Sequence, residues 1–367
     1  MELYKIAAAN LKGIGRNKLK QICSRIGSLN GVFEKSTDEL SAILEVKKDL
    51  VRNMGRKGAL EQAEYQLAFN HKYGIQTLYH EDSHYPDLLK ECPDAPISFF
   101  FKGSINLNQS KAISIVGTRK ASSYGQENVE QIISSLKGKN IIVVSGLAYG
   151  IDTFVHECCL KYQIPTIGVL AHGHHTIYPK SNGTLAKKMT RQGGLLSEFG
   201  IHEPLSKWNF PKRNRIIAGL SELTIVIESP SKGGSLITAE MANGYNREVM
   251  AVPGPLFCSN SSGCNELIKN QKAHMMTSPG DVFSIMDWDE NYFVKDVKYD
   301  LKPEEKVLVT FLMNKTNSTF DQLTEGTKFS AALLQSIILK LELNGIIHSL
   351  PGSRFKINHR VIGQSMV

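Results

Sequence analysis

No stretch of this sequence approaches the roughly 18 apolar residues of a membrane-spanning helix. Residues 1–10 carry no basic flank ahead of a long apolar run, so no secretory signal is read there. Membrane insertion is not expected. The six cysteines (Cys23, Cys92, Cys158, Cys159, Cys258 and Cys264) form no Cys-x-x-Cys pair. That pattern fits reduced thiols in a cytoplasmic protein and not a disulfide framework. A Walker lysine, a pair of carboxylates and a nucleophile with an evident base are also missing. No catalytic residue and no cofactor are assigned on this basis, which points to a binding protein and not an enzyme.

What is present is positive charge and a repeated pattern. The net charge is +8 over 367 residues. A polyanionic partner fits that value, and so does a merely basic protein. The length suits two or three domains. From Ile113 to Gly254 short apolar runs alternate with Gly- or Ser-rich turns and helical segments. The runs are 113–116, 141–144, 166–170, 195–196, 224–227 and 249–252, mostly continuous and β-branched. Such runs form strands of a parallel sheet covered on both faces. Ligands of such sheets sit beyond the carboxyl ends of the strands. Those ends carry Gly117-Thr118-Arg119, Ser145-Gly146-Leu147-Ala148, Glu228-Ser229-Pro230 and Pro253-Gly254. Small residues and free backbone N–H groups beside a helix start suit an anion such as phosphate.

Residues 1–72 are helical in pattern and hold 13 Lys and Arg against 8 Asp and Glu. Leu11 to Leu19 has the form of a helix-hairpin-helix turn. Its Gly13-x-Gly15 hairpin would aim N–H groups at a phosphate, with Arg16 and Lys18 following. A plain helical hairpin with a glycine turn would read the same way. Residues 38–54 look like a second, degenerate hairpin, with Glu45-Val46-Lys47 where the glycines would be, and are expected to pack and not bind. Phe99-Phe100-Phe101 reads as a buried strand, at an edge or between domains, more readily than as a base-stacking platform.

The ordered set of motifs resembles the DNA-processing protein A (DprA/Smf) family. It comprises Ile115-Val116-Gly117-Thr118-Arg119 with Tyr124-Gly125, Val144-Ser145-Gly146-Leu147-Ala148-Tyr149-Gly150-Ile151-Asp152, Ile177-Tyr178-Pro179-Lys180-Ser181-Asn182 and Leu196-Ser197-Glu198. It continues with Asn209-Phe210-Pro211-Lys212-Arg213-Asn214-Arg215 through Ser221, Gly234-Ser235-Leu236-Ile237-Thr238-Ala239 and Ala251-Val252-Pro253-Gly254. The resemblance covers the whole central domain. It implies an extended Rossmann-like sheet that binds single-stranded DNA, loads the RecA recombinase in natural transformation and recombination, and works as a homodimer. By the same resemblance Arg119 and Lys180 would be principal DNA contacts.

The residues read separately are compatible with that role. Gly117 lets a backbone approach a ligand closely, and Arg119 two residues on brings a guanidinium fork to phosphate. Lys180 offers a point charge at a loop. Phe210, at a loop entry, could stack on a base. Lys212, Arg213 and Arg215 place three cations within four residues, and a solvated basic turn beside a core aromatic is the plainer account of the same residues. Ser145 and Gly146 lie at a strand end. Gly234, Ser235 and Thr238 open a helix, where Ser235 either meets phosphate or caps. Asp152 is read as a cap or turn residue.

Two departures from the family stand out. Its glycine-rich run after the third strand is Ala171-His172-Gly173-His174-His175 here, and Ala121-Ser122-Ser123 stands where the family often has proline. The three histidines raise a metal reading. Ligands so close on one loop rarely close a tetrahedral site, and no metal is assigned.

An enzyme alternative remains. Lys232 to Glu240 can be laid on the Pro-Gly-Gly-x-Gly-Thr-x-x-Glu loop of the lysine-decarboxylase-like phosphoribohydrolases. Gly233, Gly234 and Glu240 match, but Leu236-Ile237 replaces the Gly-Thr.

The expected organisation is a helix-hairpin-helix-like domain over 1–73, a Rossmann-like DNA-binding domain over 74–280 with its core at 113–254, a linker over 281–301, and a winged-helix-like domain over 302–367. The last carries helices, then strands around a Pro-Gly turn. Its final helix has Lys340 as its one cation, so partner or self contact is as open as duplex binding.

Overall fold

The structure, a computed structural model, describes residues 1–108, 111–288, 301–315, 318–344, 346–350 and 352–357. It divides into two compact units, Met1–Asp281 and Val282–Val367. Most of the expected linker, including Tyr292 and Phe293, lies outside the described residues, as do Gly345 and Pro351 of the wing.

The first unit is organised on one nine-stranded sheet. Its strands are β1 (Gln76–Tyr79), β2 (Ser98–Gly103), β3 (Lys111–Gly117), β4 (Ile141–Ser145), β5 (Thr166–Val169), β6 (Gly194–Ser197), β7 (Leu223–Ile227), β8 (Glu248–Ala251) and β9 (His274–Met275). They lie in the order β1-β2-β6-β5-β4-β3-β7-β8-β9. All pairs from β6 to β9 are parallel, while β1 and β2 add on antiparallel. The continuous apolar runs produce this arrangement, because β4, β5, β6 and β7 are buried along their whole length. The chain moves outward from β3 through β6 and then returns to place β7 on the other side of β3. That reversal opens a crevice between the carboxyl ends of β3 and β7.

The three phenylalanines of β2 show how the helical part is joined to the sheet. Side chains alternate faces along a strand. Phe99 and Phe101 enter the core of the sheet with Val116, Val144 and Leu196. Phe100 points the other way, into the core of the N-terminal helices with Ile6, Leu11 and Ala59. The run is therefore a two-sided core strand, second from the edge.

The N-terminal helices are Glu2–Ala9, Arg16–Ile26, Gly31–Glu34, Thr37–Leu44, Lys48–Asn53 and Arg56–Tyr73. Gly13 takes the left-handed conformation that its turn requires, with φ 68°. In the second hairpin Glu45 occupies that region, with φ 55°. Ser36 and Glu39 form a capping box that starts the fourth helix.

In the second unit the helices Pro303–Asn314, Phe320–Thr327 and Ala331–Leu343 pack on a three-stranded antiparallel sheet of β10 (Ser318–Thr319), β11 (Ile347–Leu350) and β12 (Arg354–Ile357). This is the winged-helix order. Leu308, Leu312, Leu334 and Leu341 form its core. Lys340, the cation of the last helix, donates to Glu305 at 2.6 Å.

Candidate nucleic-acid interface

At the β3/β7 crevice lies a pocket of about 290 Å³ lined by Gly117, Thr118, Arg119, Asp152, Phe210, Arg213, Asn214, Gly234, Ser235 and Thr238, among others. The helix Asn209–Gly219 forms one wall. Phe210, Arg213, Asn214 and Ile217 recur on one face of it at helical spacing and all reach the pocket. Phe210 is the second residue of this helix and not a loop residue. The Arg119 guanidinium carbon lies 5.0 Å from the Phe210 ring centroid. The Tyr178 ring meets Phe210 edge-on at 6.0 Å. Arg119 is exposed, and Tyr178 is 37% exposed. A cation and two aromatic faces thus stand together at the rim, an arrangement suited to a phosphate beside a base.

The loop that carries Arg119 is held from below. Thr118 N–H donates to the carbonyl of Glu228 at 2.7 Å. The Glu228 carboxylate, in a buried residue with φ 53°, accepts from the backbone N–H of Ser122 at 2.9 Å and from its hydroxyl. A Cβ on Gly125 would overlap that carboxylate, which accounts for the glycine after Tyr124. The sequence marks Glu228 as part of a strand end but not its task of holding the Arg119 loop, because a left-handed glutamate carries no readable mark. Sequence reasoning left out Asn214, whose amide donates to Gly234 O at 3.3 Å.

The predicted glycines divide by role. Gly234 is exposed, and a Cβ there would meet nothing within 4 Å, so its backbone faces open space. Gly117 is packed against protein: a Cβ would overlap the Ile227 carbonyl and stand 2.6 Å from Ile151 Cγ1. A Cβ on Gly146 would overlap Asp152 Oδ2 and stand 2.6 Å from Arg213 Nη1. Gly146 is what allows a buried arginine and a buried aspartate to share one space.

Arg213 is 4% exposed and donates to the carbonyl of Val169 and, at 3.2 Å, to Asn214 Oδ1. Burial pushes the Asp152 carboxyl up from its ordinary range, and the Arg213 charge opposes that. Asp152 also accepts from Ala148 N–H at 3.3 Å, so it is a turn residue with a second task as Arg213's charge partner. Ser145 is fully buried and donates to Ile115 O at 2.6 Å. Ser235 and Thr238 are buried, and the Ser235 hydroxyl donates to Ser229 Oγ at 2.8 Å.

Lys212 and Arg215 lie on another face of the same helix. They line a separate cleft of about 740 Å³ together with Gly15, Arg16 and Lys18. In it Arg215 is bound to Glu198 and to the carbonyl of Asp94. Arg16 is also engaged, with His80 Nε2 at 2.9 Å and the carbonyls of Lys90 and Cys92 at 3.1 and 3.0 Å. Lys212 is exposed. Lys180, also exposed, opens a short 3-10 turn two residues after Tyr178. Gly13 and Lys18 line a groove of about 760 Å³ within the helical part.

The histidine loop is structural. His172 is buried, accepts from Tyr178 N–H at 3.1 Å through Nε2 and donates to Gly173 O at 3.0 Å through Nδ1. It thereby positions the aromatic that meets Phe210. Among the described residues no group of His, Cys, Asp or Glu is placed to hold a metal. Nor is any helix among them long and apolar enough to cross a membrane. Glu240, the acid of the phosphoribohydrolase pattern, pairs with Lys272 at 3.0 Å and does not line the pocket.

Comparison with known proteins places these features. Residues 76–287 match the family model of DNA recombination-mediator protein A, and residues 298–353 match a DprA winged helix domain. The DNA processing protein DprA of Bacillus subtilis is 40% identical over 243 residues, covering 65% of this chain and 82% of that protein. Protein Smf of Escherichia coli is 33% identical over 282 residues, covering 74% and 75%. Among solved structures, DprA of Streptococcus pneumoniae aligns with a TM-score of 0.64 at 32% identity, covering 77% of this chain and 96% of that one. DNA processing protein A of Helicobacter pylori, described for its single-stranded DNA binding mode, aligns with a TM-score of 0.53 at 25% identity, covering 58% and 96%.

Proposed function

The chain belongs to the DNA recombination-mediator protein A family, the DprA and Smf proteins, and on that premise we propose that it binds single-stranded DNA without sequence preference at the β3/β7 crevice. The observation that carries this reading is the Arg119–Phe210–Tyr178 cluster at the rim of the pocket. Arg119 and Lys180 take phosphates. Phe210 takes a base face. Gly117, Gly146 and the buried Arg213, Asp152, Ser145, Ser235 and Thr238 shape the pocket from behind. Lys212, together with Lys18 and the Gly13–Gly15 turn, forms a secondary track on the far face of the helix. The resemblance to DprA proteins supports RecA as the partner, a homodimer as the working form, the cytoplasm as its place, and DNA uptake and recombination as its setting. Its role is to bind and hand over, with no reaction of its own.

Two assays test this. Labelled oligo-dT should bind at moderate salt and resist an excess of duplex competitor. RecA ATPase on strands coated with single-strand binding protein should rise when the protein is added. Poor oligo-dT binding sinks the DNA reading. Binding without stimulation of RecA sinks the mediator reading alone. Release of free base from a nucleoside monophosphate would favour the phosphoribohydrolase alternative.

A further inference from the structure

The groove of about 760 Å³ between the two N-terminal hairpins has a lining that strand binding does not explain. One wall is the helix Arg16–Ile26. It presents Lys18, Gln21, Ile22 and Arg25, the i, i+3, i+4, i+7 spacing of a single helix face. Leu44, Leu50 and Met54 come from the opposite side. Ile22, Leu44 and Met54 are buried, whereas Leu50 is 54% exposed. Lys12 N–H donates to Met54 O at 3.0 Å and the Arg25 guanidinium donates to Leu44 O at 3.0 Å. These bonds tie the two sides together, so the groove is formed in the free chain.

The lining selects the occupant. Its charged residues are Lys12, Lys18 and Arg25, all exposed and all cations. Lys18 and Arg25 are seven residues apart on one helix, or about 10 Å along its axis. Arg25 has the exposed carboxylate of Glu45 at 3.9 Å, a surface pair that another carboxylate replaces at little cost. The apolar side chains of the lining are aliphatic, and none of its residues is aromatic. A nucleobase is held by stacking on a ring, which this groove does not offer. An apolar side chain is held by burial against aliphatic surface, which it does offer.

We propose that this groove docks an acidic amphipathic helix of a partner protein. Apolar side chains on one face of that helix enter between Ile22 and Leu50, and Asp or Glu beside them pair with Lys18 and Arg25. The groove borders the proposed secondary track and shares Lys18 with it. The inference does not depend on strand binding at the crevice.

The probe is a short labelled synthetic helix with Leu at i, i+3, i+4 and i+7 and Glu at its flanking positions. A scrambled peptide of the same composition and a version with Lys in place of Glu are the controls. Anisotropy with the full chain should show binding of the probe and at least about tenfold weaker binding of both controls. Leu50→Ser, a neutral change at an exposed position, should weaken the probe roughly tenfold and leave oligo-dT affinity as in wild type. Arg25→Gln should weaken it about two- to fivefold at low salt, with the difference fading as salt rises. Absence of probe binding, or equal binding of the scrambled peptide, would overturn the proposal. Displacement of the probe by oligo-dT, with a loss of strand affinity in Leu50→Ser, would overturn it in favour of a nucleic-acid groove. A change of oligomeric state in Leu50→Ser would overturn it in favour of contact between copies of the chain. Wild type that binds the probe but no oligo-dT would reject the functional reading and uphold this one.

Discussion

The guanidinium of Arg119 and the ring of Phe210 face each other at 5.0 Å, one from the loop after β3 and one from the helix before β7. The two side chains are already in contact in the free protein, so on the proposed reading a strand would meet a cation and an aromatic that stand together. Removing either should loosen its partner. Arg119→Ala and Phe210→Ala are expected to be non-additive in strand affinity, with a coupling energy of about 0.5–1.5 kcal/mol in a double-mutant cycle. Simple additivity would mean that the pair is incidental.

Arg213 is expected to matter for folding before it matters for DNA. Its replacement by methionine removes the donation to Val169 O and the charge that opposes the desolvation of Asp152. Losing a buried hydrogen bond from a charged group costs roughly 1.5–3 kcal/mol, which denaturant unfolding would show. Lys212→Ala, one residue away and exposed, should change stability by less than about 0.5 kcal/mol. Equal effects of the two would contradict the placement of Arg213.

Gly146→Ala tests the same space from the other side. A Cβ there overlaps Asp152 Oδ2 and crowds Arg213. Overpacking of this kind costs typically about 1–3 kcal/mol. Gly234→Ala, where space is open, should be near neutral in stability, and any loss it shows should be in strand affinity.

Arg16 ties the second N-terminal helix to the loop before β2 through His80 and two carbonyls. Arg16→Ala should lower stability by roughly 1.5–3 kcal/mol, the range for hydrogen bonds to a charged group. The salt slope of strand binding should not change. A reduced slope would show that Arg16 meets phosphate and that the hairpin is a DNA site in its own right.

Two buried histidines give stability a pH dependence. Burial pushes both His156 and His174 down to about 4. The unfolded chain holds these groups near 6.5 and so binds more protons than the native state between the two values. Their contribution is complete above about pH 6.5 and is lost as pH falls toward about 4. His156 donates through Nε2 to the Gly146 carbonyl and meets Thr166 Oγ1 at 2.7 Å through Nδ1, so His156→Gln should flatten the acid limb of the stability curve. An unchanged limb would mean that the ring is protonated in the fold.

The strands were legible because a sheet covered on both faces needs unbroken apolar, β-branched runs. Phe99 to Phe101 could be read as a buried strand but not as the junction of two cores, since that depends on which helices cover each face. The Lys212-Arg213-Arg215 cluster was legible as charge and not as geometry. Residues one apart on a helix point about 100° apart, so the same helix sends Arg213 into the protein and Lys212 and Arg215 toward a different cleft. Gly117 and Gly146 were noticed for the right property, a missing Cβ. In both, the space is taken by protein atoms and not by open room for a ligand. Glu228 was legible as a strand-end residue but not for its task, which follows from a left-handed backbone that sequence does not announce.

The central claim is that the crevice beyond β3 and β7 holds single-stranded DNA through Arg119. It is tested most directly by fluorescence anisotropy of labelled oligo-dT with wild type and Arg119→Ala over a salt series. The account predicts tight wild-type binding, and for the variant both weaker binding and a salt slope smaller by about 0.7 for each phosphate that Arg119 neutralises. Unchanged affinity and slope in the variant would contradict it and would move the site to the basic N-terminal hairpin.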